Sequence, residues 1–404
     1  MEKYRIGNYI IERIFKMNIL IQAYACAADK GGEFSVSWGW IRQLDKRVQE
    51  QDKIFVCLLT LTEHEIEKSG LKHVELIPVD NLDKFMKYSS KQYFYLIWQY
   101  LAYRTVKKKN LRLDVIHCYS LSDFRFPGFW SNMKGAYTIF GPVGGGQRCP
   151  KALIRYDDKS HYLRDFVNWL CKVNPMYALQ VKKYDAKFVA NYETKDYIKD
   201  ANVLVDVPLD NNLQKLEILQ RSNHIPTILC MGRLINKKGF LFFIDVLEKL
   251  PRELPFKVMI YGEGPQKDLI EKKINLSNVK NKIQLKGYVK HEDVRKIYEK
   301  ADIFVVPSLR ESGGSVFIEA MACALPVVSL DMALSRILKE NQCGLFVNTE
   351  QSKNEIISEF ANDIEKLVVD EKLRIQLGHN GYKFVNTQIT WDREINCVYG
   401  KLLK

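Results

Sequence analysis

Two glutamates separated by seven residues, Glu311 and Glu319, stand in the stretch ADIFVVPSLRESGGSVFIEAMACALPVVSL (301–330). Between them Ser312-Gly313-Gly314 can take backbone angles closed to other residues, and Ser315 suits the cap of a helix reaching about Ala324. The first amides of such a helix, at the positive end of its dipole, are a place for phosphate. Ser315 and Glu319 are four apart and share one face, which looks back toward the helix start. Glu319 lies between Ile318 and Ala320, where an ionised carboxylate is costly unless something pairs with it. An anion held by amides and flanked by two carboxylates that grip hydroxyls describes a sugar nucleotide. Without a ligand, the same residues read as a solvated loop charge and a paired core charge.

The turn needs a strand before it, and the apolar run 303–306 has the β-branched character of a strand buried on both faces of a parallel sheet. From residue 227 onward strands and helices alternate, which predicts βαβ units. Two more turns then fall at carboxyl ends of strands, the edge that ligands favour in open α/β sheets. Gly232-Arg233 comes first, with Lys237-Lys238-Gly239 close behind. An arginine forks two phosphate oxygens and a lysine adds point charge, so Arg233 and Lys238 together answer a pyrophosphate. Gly262-Glu263-Gly264-Pro265 follows the next strand, and Pro265 suits a first helical position.

The first half shows strands near 17–24, 53–61, 74–79, 114–117, 137–140 and 186–190, with helices across 160–183. Gly31-Gly32 after the first strand offers amides to an anion. His117 ends a strand at the carboxyl edge, and Gly141-Pro142-Val143-Gly144-Gly145-Gly146-Gln147 reads as a loop stripped of side chains. No G-x-G-x-x-G follows the first strand, which counts against a dinucleotide dehydrogenase.

At 404 residues the prior is two domains. We divide the chain into 1–206, 207–385 and a terminal helical segment, 386–404, expected to pack back across the boundary. Hydrophobic residues at 47% and charged residues at 27% fit a soluble globular class. No run of eighteen apolar residues and no signal-peptide pattern occurs, and the nine cysteines contain no C-x-x-C, so a cytoplasmic protein without a metal site is expected. A net charge of +13 calls for an anionic partner, either a phosphorylated substrate or an anionic membrane surface. No nucleic-acid-binding signature is present, so nucleic acid is not expected. Two stretches have membrane-facing character: the basic amphipathic 1–16, and the aromatic 85–103 closed by Lys107-Lys108-Lys109. Core packing with a charged helix end is the stronger reading of the second, and a packed or disordered extension, or a true start at Met17, accounts equally for the first.

PSLRESGGSVFIEAMACALPVV resembles the signature of retaining glycosyltransferases of family 4, and GRLINKKG and YGEGP resemble its two preceding loops in order. KGGEFSVSWGW and GPVGGG are similar to the acceptor-side half of bacterial members that build surface polysaccharides. The resemblance implies a GT-B architecture, two Rossmann-like α/β/α domains facing a cleft. It further implies a hexosyltransferase using a nucleotide diphosphate sugar and a glycan or lipid-linked glycan acceptor, with no cofactor or metal; the basic charge and the two membrane-facing stretches add the expectation of a peripheral place on the inner face of the cell membrane. On that analogy Arg233 and Lys238 hold the diphosphate, beside Gly232 and the Gly262-Glu263-Gly264-Pro265 turn. Glu319 takes the ribose hydroxyls. Glu311 contacts the transferred sugar, with Ser312, Gly313, Gly314 and Ser315 on sugar or phosphate. Gly31 and Gly32 close over the phosphate from the first domain. Relatives carry His-x-His where this chain has His117-Cys118-Tyr119, which makes His117 a candidate catalytic contact beside Glu311, Arg233 and Lys238, and Gly-Gly where it has Leu330-Asp331-Met332. A nucleotide-sugar epimerase or a catalytically silent partner protein of the same architecture are the rival readings.

Overall fold

The computed structural model describes residues 16–24, 26, 33–59, 66, 70–79, 91–119, 121–205 and 225–403. The expected membrane segment 1–16, apart from its last residue, the Gly31-Gly32 turn and most of the segment around the domain boundary at 206/207 lie outside them.

Two parallel sheets are formed. The first contains β1 (Asn18–Ala23), β2 (Lys53–Leu59), β3 (Val74–Val79), β4 (Val115–Cys118), β5 (Tyr137–Val143), β6 (Ala186–Val189) and β7 (Asn202–Val203), in the order β3-β2-β1-β4-β5-β6-β7. The second contains β8 (Thr227–Met231), β9 (Lys257–Tyr261), β10 (Ile283–Gly287), β11 (Ile303–Val306), β12 (Val327–Leu330) and β13 (Gly344–Val347), in the order β10-β9-β8-β11-β12-β13. In each, strand order reverses beside the sheet's first strand, and the crevice for a ligand in such sheets opens at that point. In the second sheet it lies between β8 and β11, which pair directly. The turns carrying Gly232-Arg233 and Glu311 therefore flank it.

Both sheets are buried on both faces, as their near-continuous apolar strands require. Ile303, Phe304, Val305 and Val306 are all buried, alternating between two core clusters on opposite faces. β5 differs from the sequence reading, because it runs on through Gly141-Pro142-Val143 where a loop is expected. The register between β5 and β6 shifts between Phe140 and Val143, so proline's missing N–H falls in an irregular part of the ladder.

The two halves of the chain exchange pieces. The segment 149–157 leaves the first sheet and adds Cys149 and Leu153 to the core of the second. In return the helix Trp391–Tyr399 adds Trp391, Ile395, Val398 and Tyr399 to the core of the first. The Trp391 ring lies against Gly39, where a Cβ would fall 2.3 Å from it, so only glycine fits there. No helix among the described residues is long and apolar enough to cross a membrane.

Candidate functional site

β11 delivers the Glu311 turn, and its side chains fix that turn locally. Lys238 Nζ donates to Glu311 Oε2 at 2.5 Å, and the Ser308 hydroxyl donates to the same oxygen at 3.0 Å. Burial pushes the Glu311 carboxyl up, but the Lys238 ammonium, the Ser308 hydroxyl and the nearby Lys237 outweigh it and hold the group below the usual carboxylate range. Glu311 is thus an anchored, ionised acceptor. Lys238 closes a short helical turn, Asn236–Lys238, which follows directly from the β8 turn.

The helix after the turn, Ser315–Ala322, begins one residue earlier than a Ser315 cap implies. Gly314 occupies the cap position with φ +66°, a left-handed conformation that a side chain disfavours, and no side chain caps the helix. Its first amides therefore have no side-chain cap among the described residues. Glu319, four residues in, is half-buried, and the fully buried Tyr298 donates its hydroxyl to Glu319 Oε2 at 3.0 Å. That bond supplies part of the compensation a carboxylate in an apolar run requires.

The β8 and β9 turns lie side by side. Leu234 N–H donates to the Glu263 carbonyl at 2.9 Å, and a Cβ on Gly262 would fall 1.9 Å from the Gly232 carbonyl oxygen. Close approach of one turn to another accounts for Gly262 without a ligand. Glu263 pairs at 3.0 Å with Lys267, and Pro265 precedes Gln266, the cap of the helix Lys267–Leu276, rather than opening that helix. Arg233 is exposed, and its side chain has no hydrogen-bond or ion-pair partner among the described residues.

Several contributors carried no signal in the sequence. Gln147 of the GPVGGGQ stretch donates to Ser312 Oγ at 3.4 Å, and Asn191 donates to the Ser312 carbonyl at 3.3 Å. Glu193 accepts from the Ala333 amide at 2.6 Å. Arg164, on the helix Ser160–Val173, donates to the Gly145 carbonyl at 2.8 Å, and burial followed by its neighbours Arg125 and Arg310 lowers its guanidinium to about 10. Burial, and then Lys238, Arg233 and Arg164 against the opposing Glu311, also push the Lys237 ammonium below the ordinary lysine range. Cations from both halves of the chain thus converge around one carboxylate, an arrangement suited to a polyanion. Among the described residues no three His, Cys, Asp or Glu side chains come together as a metal-binding set.

His117 stands apart from this group. It is fully buried, with Nδ1 2.6 Å from the Tyr399 hydroxyl and Nε2 2.5 Å from the Gly141 carbonyl. A carbonyl only accepts, so Nε2 carries the proton and Nδ1 accepts from Tyr399. Burial lowers its pKa to about 4, against a smaller upward pull from Gly141. The ring is a neutral link between β4, β5 and the terminal helix.

Comparison with known proteins bears on the fold. Residues 214–384 match the family model described as glycosyl transferases group 1. The capsular polysaccharide biosynthesis glycosyltransferase CapM of Staphylococcus aureus is 29% identical over 204 residues, 48% of this chain and 51% of that protein. The chain spans about half the length of that relative. Sucrose-phosphate synthase from Thermosynechococcus elongatus superposes with a TM-score of 0.68 at 17% identity, covering 96% of this chain and 99% of that one. Anabaena HepE, solved in complex with UDP and glucose, gives a TM-score of 0.64 at 14% identity, again over 96% of this chain and 99% of the other. Residues 214–384 belong to the glycosyl transferases group 1 family, and the two sheets give the chain the GT-B fold.

Proposed function

We propose that this chain transfers a hexose from a nucleotide diphosphate sugar to a hydroxyl of a glycan or lipid-linked glycan, with retention of configuration, in surface-polysaccharide synthesis. The observation that carries the reading is Glu311, ionised and pinned by Lys238 at the strand-order reversal, one turn ahead of the helix start that bears Glu319. In this reading Glu311 orients hydroxyls of the transferred sugar, and Glu319, positioned by Tyr298, takes the ribose hydroxyls. The diphosphate meets the helix start, Arg233 and Lys238, whose charge offsets that developing on the leaving group without a metal. Gly232, Glu263 and Gly264 line the nucleotide side, and Gly31 and Gly32 close from the first domain. The bond from C1 to the phosphate oxygen breaks, the bond from C1 to the acceptor oxygen forms on the same face, and the leaving phosphate takes the acceptor's proton. His117 acts through position only, orienting the cleft edge at Gly141.

A net charge of +13 supports work at an anionic membrane on its cytoplasmic face, where a lipid-linked acceptor resides. The test incubates the protein with nucleotide sugars and lipid-linked acceptors, with and without EDTA, and determines the anomeric configuration of the product. A retained linkage formed in EDTA is expected. An inverted linkage, or donor turnover that no acceptor accelerates, would refute the mechanism.

A further inference from the structure

The helices Ser160–Val173 and Pro175–Lys182 form a hairpin at the edge of the first domain, joined where Asn174 caps the second helix. One face of the first helix carries His161, Arg164 and Asn168 inward, with Arg164 and Asn168 donating to the Gly145 carbonyl at 2.8 and 3.3 Å. The opposite face is apolar and open to solvent: Tyr162, Leu163, Phe166, Trp169, Leu170 and Val173. Leu163 is 69% exposed and Trp169 50%, and the rings of Phe166 and Trp169 stack at 5.9 Å in the open. The second helix extends this surface with Leu179 and with Met176, which is 77% exposed. A continuous exposed apolar face of this size on a folded protein marks a contact surface.

Charge identifies the occupant. Exposed lysines at 159, 172, 182 and 183 rim the hairpin, against the exposed Asp158 and the half-buried Asp165. The surface continues toward Phe129, because Gln180 donates to the Gly128 carbonyl at 2.9 Å, and Phe129 meets Tyr100 edge-on at 5.8 Å. Tyr100 lies on the helix Lys91–Lys108, which ends at the exposed Lys107 and Lys108. Aromatic and aliphatic side chains within a lysine rim match the headgroup boundary of an anionic bilayer, which a protein partner of either charge would not require.

We infer that the hairpin 160–182 is the face by which this protein docks on an anionic lipid bilayer, setting the Gly144–Gly146 edge of the cleft toward the membrane. The inference rests on the peripheral, lipid-linked-acceptor reading proposed above and locates it on the molecule. The same helix that presents its apolar side to lipid holds the cleft edge through Arg164 and Asn168, so a docked protein brings its acceptor side to the bilayer.

The experiment floats the full-length protein with vesicles of phosphatidylcholine alone and of an equimolar mixture with phosphatidylglycerol, without donor. Binding to the mixed vesicles is expected, with the triple variant Leu163→Ser, Phe166→Ser, Trp169→Ser weakened more than about tenfold. The pair Lys172→Ala, Lys182→Ala should weaken binding to the mixed vesicles about fivefold or more, with little change on phosphatidylcholine alone. These side chains are exposed, so an unchanged melting temperature verifies folding. Equal flotation of the triple variant and the wild type would overturn the inference. So would a wild type that floats with neither vesicle and forms a dimer that the triple variant abolishes, since a second copy would then cover the face. Calorimetric binding of the uridine, guanosine, adenosine, cytidine and thymidine diphosphates in solution reads the donor site separately: binding of none of them by the wild type counts against the proposed function, and binding without flotation counts against the docking face alone.

Discussion

Arg310 Nε lies 2.9 Å from Asp157 Oδ2 across the two halves of the chain, with the side chains 6% and 0% exposed. Arg310 immediately precedes Glu311, and its Nη2 donates to Asp157 Oδ1 at 3.0 Å, which adds a charge-assisted hydrogen bond to the ion pair. Removing one member leaves a buried charge uncompensated, so Arg310→Ala or Asp157→Ala should destabilise the protein by about 3–5 kcal/mol. Replacing both with apolar residues should cost much less. Denaturant unfolding of the two singles and the double variant measures the difference, and near-additive losses would contradict the account.

The two glutamates should fail differently. A hydrogen bond to a charged group is worth about 1.5–3 kcal/mol, so Glu319→Ala should lower kcat/KM by about 10- to 100-fold, chiefly through donor KM. Glu311→Gln keeps the shape of the side chain but loses its charge beside Lys238, and its loss should fall on kcat. Steady-state kinetics with varied donor separates them; identical profiles would argue against distinct roles.

Arg233, exposed and without a partner in the described structure, should serve the transition state more than the ground state. Charge on the departing diphosphate grows as the glycosidic bond breaks, so Arg233→Ala should lower kcat while leaving KM within a few fold. Single-turnover rates measure this, and a change confined to KM would contradict it.

The buried His117 makes stability depend on pH. Its folded pKa, about 4, lies below its ordinary 6.5, so the folded state resists the proton that the unfolded state accepts. Stability should be full above about pH 6.5 and decline as pH falls toward 4, by up to about 3 kcal/mol. Glu311 is likewise depressed, but its contribution is lost only lower, as pH falls through the carboxylate range. Unfolding of wild type and His117→Gln near pH 7 and pH 5 checks the assignment, the variant being expected to show the flatter dependence.

The second sheet was legible in the sequence because its signals are local. Strand β11 is an uninterrupted apolar run, the helix start falls within one residue of the expected Ser315 cap, and Glu311 and Glu319 are visible as charges at fixed spacing. Ser308, three residues before Glu311, was discoverable by the same local logic. What the sequence concealed joins distant positions: Arg310 with Asp157, Gln147 with Ser312, Arg164 with the glycine loop. No periodicity encodes such pairs, since they arise only when two sheets face each other. β5 was misread for a local reason, because glycine and proline signal a loop even where a register shift lets a strand accommodate them.

The exchange of the 149–157 segment for the helix Trp391–Tyr399 means that this protein cannot be divided at its midpoint. A fragment ending at residue 205 would lack Trp391 and Tyr399 from its own interior and leave His117 half-bonded. A fragment starting at residue 225 would lack Leu153 and would strand Arg310 without its carboxylate. Two lobes seen side by side are, for the purposes of folding, a single interlocked object.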